Sequence, residues 1–106
     1  MPISFLDFKL SITDKKSIRK AAEQAVISLG LQSLEISIVS ITSQRIKKLN
    51  KTYRKKDQIT DVLSFGYEKE GEVFICLPQA KRQAKANKID ILDELKKLII
   101  HGLAHI

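Results

Sequence analysis

The sequence has a single cysteine, no tryptophan and only 6% aromatic residues. One thiol cannot form an internal disulfide, so nothing calls for an oxidising compartment, and Cys76 is expected to be a small buried side chain. The core must therefore consist mainly of Ile, Leu, Val and Ala. No apolar run approaches the ~20 residues that cross a bilayer, and no secretory signal is visible. We predict a cytoplasmic protein that does not enter a membrane.

Acidic residues are also scarce, with 12 Asp and Glu against 19 Lys and Arg in 106 residues. This length suits one domain with one core, spanning residues 1–106. The resulting net charge of +7 fits an anionic partner, either a nucleic acid or an anionic membrane surface. Many soluble domains are merely basic, so the location of the charge has to decide between these alternatives.

The hydrophobic periodicity predicts eight elements in the order β-α-β-α-β-β-α-α. The predicted strands are residues 3–12, 34–38, 61–67 and 72–77, the last two forming a hairpin. The four helices are predicted to begin at Thr13 or Asp14, at Thr42 or Ser43, at Pro78 and at Asp90. This order predicts a single α/β (α+β) domain, with a mixed central sheet of about four strands and helices packed on it.

The last predicted helix carries the only two histidines, His101 and His105. Their i, i+4 spacing projects both imidazoles from one face, close enough to share a metal ion, although such pairs also arise by chance. We expect them at the partly desolvated border of the apolar stripe, beside Leu98. Gly102 stands where zinc peptidases place a glutamate, which argues against a peptidase. This glycine would allow either close packing or substrate access.

The same helix has a predicted start but no predicted stop. Its apolar pattern continues to Ile106 without a following Gly, Asn or Pro. We therefore expect the helix to run through the final residue and the sequence to end inside a longer motif.

Basic residues form two clusters that contain no acid. Ile46, Leu49 and Tyr53 are predicted to point inward on the second helix, which would leave its cations in solvent. Lys88 extends a similar cluster on the third helix. The alternative is that both clusters are only solvated helix faces, but two of them in one small domain favour a track for a phosphate backbone. The predicted RNA-binding residues are Arg45, Lys47, Lys48, Lys51, Arg54, Lys55, Lys56, Lys81, Arg82 and Lys85.

Residues 49–65 pass from the second helix through a polar loop into a strand. Arg54 is the candidate for phosphate chemistry, because its planar guanidinium can hold a phosphate at two points. Thr60 and Asp61 are interpreted as residues that cap or pin the loop. Ser64 has no neighbouring base in the sequence and is not predicted to be a nucleophile.

This stretch resembles the YbeY family of bacterial rRNA maturation factors. The family's pattern LN-x-x-YR-x-x-D-x-x-TDVLSF is matched by Leu49, Asn50, Tyr53, Arg54, Asp57, Thr60, Asp61, Val62, Leu63, Ser64 and Phe65. A Gly-acid pair before an apolar strand matches Gly71 and Glu72. The helix leading into H-G-x-x-H matches Glu94, Leu95, Leu98, His101, Gly102 and His105. Ala104 and Gly66 depart from the family's usual Leu and Pro.

The resemblance implies a single-strand-specific, metal-dependent endoribonuclease that matures the 3′ end of small-subunit rRNA at a late stage and takes part in ribosome quality control. It implies one zinc ion bound by His101, His105 and a third histidine roughly six residues further on, with Arg54 as a catalytic residue. That third position would lie beyond Ile106, so we expect these 106 residues to bind zinc weakly unless Asp57, Asp61 or Cys76 substitutes.

The partners that the resemblance implies are single-stranded rRNA, the small ribosomal subunit, and a ribosomal protein or GTPase. The alternative is a non-catalytic RNA- or ribosome-binding module in which the histidine pair is vestigial.

Overall fold

Four strands and four helices make up residues 3–106, the part of the chain that the computed structural model describes. Their order confirms the predicted sequence of elements and the α/β class. The elements are β1 (Ile3–Leu6), α1 (Ile12–Ser28), β2 (Glu35–Ile41), α2 (Ser43–Arg54), β3 (Val62–Gly66), β4 (Glu70–Cys76), α3 (Leu77–Ala86) and α4 (Ile91–Ala104).

The strands form one mixed sheet in the order β1-β2-β4-β3. Strands β1, β2 and β4 are parallel, whereas β3 pairs antiparallel with β4 in a hairpin that sets Gly66 opposite Gly71. The parallel pairs require crossover connections, which α1 and the segment from α2 through β3 supply. As a result β3 lies at one edge of the sheet.

Each face of the sheet has its own hydrophobic cluster, because successive strand residues point to opposite sides. The larger cluster joins Ile38 and Val73 to α1 and α4. The smaller one joins Leu63 and Cys76 to Ile46 of α2, and Cys76 is fully buried as predicted. The edge strand β3 is therefore flanked by α2 on one face and by α4 on the other. No helix within residues 3–106 combines the length and apolarity needed to traverse a bilayer.

Side-chain caps fix the beginnings of α2 and α4. The Thr42 hydroxyl accepts a hydrogen bond from the Arg45 backbone at 3.2 Å. Of the two predicted candidates, Thr42 and not Ser43 is therefore the N-cap of α2. The Asp90 carboxylate accepts one from the Leu92 backbone at 3.2 Å, as predicted. Each cap satisfies an N–H group that would otherwise lack a partner in the first turn.

The first predicted strand is too long. β1 ends at Leu6, and Asp7 adopts a left-handed φ of 64°, which takes the chain out of the sheet. Ser11, rather than Thr13 or Asp14, caps α1 through a 3.0 Å bond from the Asp14 backbone. The loose alternation of apolar and polar residues therefore extends beyond the segment that pairs with β2.

The predicted inward position of Tyr53 is wrong, since its side chain is 64% exposed. Ile46 is fully buried and Leu49 half-buried, but the last turn of α2 carries Tyr53 to the edge of the sheet. There its ring packs edge-on against Phe65, with centroids 5.1 Å apart.

The expectation that the last helix runs through the final residue is also wrong. α4 ends at Ala104, and His105 occupies the C-cap position with φ −101° and ψ 7°. Ile106 then packs onto the glycine pair of the hairpin. A Cβ atom on Gly71 would lie 2.8 Å from Ile106 Cδ1, and one on Gly66 would lie 3.1 Å from its carbonyl carbon.

Candidate active site

A pocket of about 190 Å³ opens beside the edge strand, where the last turns of α2 and α4 approach each other. Three elements that are distant in sequence contribute to it. Its lining residues are Arg54, Val62, Leu63, Ser64, His101 and His105. The structure thus brings together the histidine pair and the arginine that the sequence singles out separately.

His101 and His105 stand side by side in this pocket, with ring centroids 4.4 Å apart. Both side chains are exposed, so the expected partly desolvated position is wrong. The cause is the rotation of α4, which turns Leu98, Gly102 and Leu103 toward the sheet. The pair also lies at the C-terminal end of the helix, where the helix dipole favours a bound cation.

Gly102 lets α4 lie directly on the sheet. A Cβ atom at this position would come within 2.6 Å of Val73 Cγ1 and 3.1 Å of Val62 Cγ2. Of the two predicted alternatives, close packing and substrate access, the glycine therefore serves close packing. The short distance between helix and sheet sets the height of both imidazoles above β3.

Ser64 fastens the end of α4 to the edge strand. Its hydroxyl donates a 2.6 Å hydrogen bond to the Gly102 carbonyl, which also accepts the His105 backbone N–H at 3.2 Å. Because the hydroxyl donates its proton to a backbone carbonyl, this bond agrees with the prediction that Ser64 is not a nucleophile.

Ser64→Ala should lower the free energy of unfolding by about 1 kcal/mol, because one hydrogen bond between the strand and the helix end is lost. Urea denaturation of the variant measures this difference. Ser33→Ala, at an exposed position, is the matched control and should change stability little. Equal stability of the two variants would contradict a role for Ser64 in holding α4.

Arg54, the last residue of α2, lines the pocket. Lys55 follows in a left-handed conformation and ends the helix. Arg54 is exposed, and the ion pair found within residues 3–106 joins Lys97 to Glu94, so no acid of the described chain ties up the guanidinium. Its donors remain available to an anionic ligand.

The loop between α2 and β3 is held by side chains at both ends. Asn50, which is buried, donates to the Gln58 carbonyl at 2.9 Å. Asp61 accepts from the Gln83 side chain at 3.1 Å, while its backbone carbonyl accepts from the Cys76 N–H at 2.9 Å. Asp61 therefore pins the loop, in agreement with its structural interpretation, and Thr60 contacts the same carboxylate at 3.4 Å.

Sequence reasoning missed the polar contact that connects this loop to α4. The Gln83 amide donates to Asp61 and also to Glu94, the latter at 2.9 Å, although Glu94 is completely buried. Lys97, at 3.0 Å, neutralises the Glu94 carboxylate. The position of Glu94 near a helix N-terminus does not predict this contact. The signal that pointed to a further role is its match to the YbeY pattern that precedes His101.

The predicted RNA-binding cations all lie exposed on the surface. Arg45 of α2 and Lys81 of α3 line one groove of about 500 Å³ together with Lys9, so the two basic clusters meet there. Arg82 is partly engaged, since it donates twice to the Gln79 side chain, at 2.9 and 2.7 Å. Only Arg54 of the ten predicted cations lines the histidine pocket.

The model of the family described as Endoribonuclease YbeY matches residues 4–106. The chain belongs to the YbeY family. Among curated members, the Endoribonuclease YbeY of Aquifex aeolicus is 44% identical over 99 residues, covering 87% of this chain and 66% of the relative. That of Persephonella marina is 37% identical over 105 residues, covering 91% and 68%. The chain thus spans about two thirds of the length of these YbeY relatives.

A solved structure supports the fold. The solution structure of a protein from Thermotoga maritima matches with a TM-score of 0.68 and 23% identity, covering 95% of this chain and 69% of that one. The four-stranded mixed sheet with its helices is therefore an arrangement known from experiment.

The zinc ion that the YbeY resemblance implies can be tested against the side chains of this pocket. Two adjacent imidazoles are suitable nitrogen donors for zinc and fit as part of a ligand set. Within residues 3–106, no group of three or more His, Cys, Asp or Glu side chains is arranged to hold a metal ion. The expectation that Asp57, Asp61 or Cys76 could substitute for the third ligand is therefore wrong. Asp61 instead pins the loop, and Cys76 is buried against α2.

Proposed function

We propose that this protein is a metal-dependent endoribonuclease acting on single-stranded RNA. The observation that carries the proposal is that Arg54, His101 and His105 line one pocket. The relatives are endoribonucleases by name, which supports the same activity.

Arg54 binds and neutralises the phosphate that reacts. Its planar fork can donate to two oxygens of one phosphodiester, and it stabilises the negative charge that grows on them in the transition state. The Asn50 and Asp61 contacts fix the loop after α2 and thereby the backbone from which the Arg54 side chain extends.

His101 and His105 would hold the metal ion at the opposite wall of the pocket. When bound, zinc supplies Lewis acidity toward a phosphoryl oxygen and makes a water molecule more acidic. Gly102 and Ser64 position the two imidazoles by holding α4 against β3. With two imidazoles as donors, we expect weaker zinc affinity than at a site with three histidines.

The exposed cations of α2 and α3 would bind neighbouring phosphates. For single strands, the logarithm of the binding constant should fall with the logarithm of salt concentration with a slope of about −0.7 per phosphate contact. The groove at Arg45 and Lys81 offers one path for the strand away from the pocket.

We also propose the biological setting that the family resemblance implies. The substrate is the 3′ end of small-subunit rRNA, the process includes ribosome quality control, and the location is the cytoplasm. The partners are the small ribosomal subunit together with a ribosomal protein or GTPase.

The decisive experiment compares cleavage of a labelled single-stranded RNA with zinc and with chelator. We expect His101→Ala and Arg54→Glu each to abolish chelator-sensitive cleavage. Lys20→Glu is the matched control, since it reverses an exposed charge on α1, on the other side of the sheet from α2, and should leave cleavage intact.

Two results would contradict the proposal in different ways. Chelator-resistant cleavage that persists in both variants would exclude this pocket as its source. RNA binding that weakens with salt but gives no cleavage at any zinc concentration would support the alternative of a non-catalytic binding module, for which the histidine pair is vestigial.

A further inference from the structure

Four of the six aromatic residues lie together on the face of the sheet that α2 covers only partly. This aromatic cluster consists of Tyr53, Phe65, Tyr67 and Phe74, and with Leu49 and Glu72 it lines a cavity of about 110 Å³. Tyr53 is 64% exposed and Tyr67 is 54% exposed. Such large apolar side chains are normally buried, so a patch of them in a basic protein indicates a binding surface.

The rings form a platform of fixed geometry. Tyr53 and Phe65 pack edge to face with centroids 5.1 Å apart and an interplanar angle of 68°, and Phe65 and Phe74 pack similarly at 5.8 Å and 72°. Phe65 and Phe74 are half-buried and anchor the platform in the sheet. The exposed ring of Tyr53 is therefore supported from below, and a flat partner can stack on it without reordering the side chain.

Glu72 adds a polar recognition group to the same cavity. Its Oε1 atom accepts a 2.9 Å hydrogen bond from the Tyr67 hydroxyl. This bond raises the pKa of Tyr67 above its ordinary value, and it holds the carboxylate beside the phenol. A carboxylate has about four lone-pair sites, so Glu72 can accept further bonds from a ligand.

The platform lies next to the candidate active site. Tyr53 directly precedes Arg54, and Phe65 points to the same face of β3 as Leu63, two residues away, which corresponds to roughly 7 Å along the strand. Leu63 lines the histidine pocket and Phe65 lines the aromatic cavity, so the two cavities border on nearby residues of one strand. Tyr53 belongs to the basic helix α2, whereas Tyr67 and Glu72 belong to the hairpin, whose turn carries Glu68 and Glu70 on either side of Lys69.

We propose that the aromatic cluster binds one unpaired nucleobase of the RNA whose phosphate Arg54 holds, and that Glu72 selects guanine there. The inference rests on the proposed function and extends it to sequence preference. Bases in single strands stack on aromatic side chains and expose their Watson–Crick edges to hydrogen bonding. Guanine presents two adjacent donors, N1–H and the N2 amino group, which suit a carboxylate.

The distribution of charge favours RNA over a protein side chain as the occupant. The cations of α2 would attract the phosphates, and the Glu72 carboxylate, which lines the same cavity as Tyr53, would accept hydrogen bonds from the base. The carboxylates of the hairpin disfavour a phosphate on their side of the cavity.

Intrinsic fluorescence provides a direct readout, because the protein has no tryptophan and both of its tyrosines belong to the cluster. Short oligouridine strands containing one guanine are titrated into the protein with chelator present, so that binding is measured without cleavage. We expect the tyrosine emission to be quenched on binding. Fluorescence anisotropy of labelled RNA measures total affinity in parallel.

Three variants separate stacking from selection. Tyr53→Ala should weaken RNA binding by about 5- to 150-fold, the range for loss of one base–aromatic stack. Tyr53→Phe keeps the ring and should bind within about twofold of the unsubstituted protein. Glu72→Gln should reduce the preference for guanine over adenine, taken as the ratio of the two affinities within this variant, by about tenfold.

The outcomes distinguish this inference from the proposed function. RNA that binds and is cleaved without quenching, with equal affinity in Tyr53→Ala and Tyr53→Phe, would overturn the base site alone. Failure to bind or cleave any RNA would overturn the proposed function as well. If Tyr53→Ala binds RNA normally but disrupts self-association in sedimentation, the cluster is a protein interface and the inference is wrong.

Discussion

Replacing Arg54 with alanine should slow cleavage of single-stranded RNA by about 10²- to 10³-fold, the usual effect of removing one preorganised donor to a developing oxyanion. The reason is that Arg54 is the cation, among those predicted to bind RNA, that lines the histidine pocket. The loss should fall mainly on kcat, since the interaction strengthens as charge accumulates on the phosphate. Single-turnover kinetics at saturating RNA measure it.

Arg54→Lys tests whether geometry or charge matters. Lysine restores the positive charge but cannot donate to two oxygens from one planar group, so we expect only partial recovery. Lys51→Ala is the matched control, because it removes one exposed cation from the same helix outside the pocket. Lys51→Ala should mainly weaken RNA binding and reduce the dependence of that binding on salt. Equal losses of kcat in Arg54→Ala and Lys51→Ala would refute the assigned role of Arg54.

Gly102→Ala should destabilise the protein by about 1–3 kcal/mol, even though alanine favours a helix over glycine by about 1 kcal/mol. The new methyl carbon would lie 2.6 Å from Val73 Cγ1 in the fully buried layer between α4 and the sheet. Urea denaturation measures the change in the free energy of unfolding. A gain in stability would show that α4 can move away from the sheet at little cost.

A double-mutant cycle identifies the clash as the cause. Val73→Ala removes the methyl groups that Gly102→Ala would meet, although it costs stability by itself because Val73 is completely buried. The double variant should therefore be more stable than the sum of the two single effects predicts, by 1 kcal/mol or more in order of magnitude. Strict additivity would assign the effect of Gly102→Ala to something other than this contact.

The fold could be predicted in outline because its signals are local. The cap at Asp90, the alternation before Ile38 and the hairpin turn before Gly71 each depend on neighbours in sequence. The end of β1 was missed because the backbone of Asp7 is left-handed, which the alternation of apolar and polar residues does not indicate. At the end of α4, Ile106 contacts the hairpin glycines, which are far from it in sequence.

The candidate site was predictable in its parts but not in its assembly. Residue type and spacing identified Arg54, His101 and His105, since few side chains hold phosphate or zinc. Their shared pocket depends on the position of β3 at the edge of the sheet, between α2 and α4. The exposure of Tyr53 was predicted wrongly, because helix periodicity gives the direction of a side chain and not the extent of the sheet beneath it.

The sequence alone determined the order of elements, the basic character of α2 and α3, and the presence of a histidine pair one turn apart. These features follow from periodicity, charge and spacing, which act over a few residues. Three features were decided only by the tertiary structure. Gly102 brings α4 onto β3. Gln83 links Asp61 to the buried Glu94, and four aromatic rings form one platform. Each of these depends on contacts between segments far apart in the chain, and local sequence patterns do not specify which distant atoms meet.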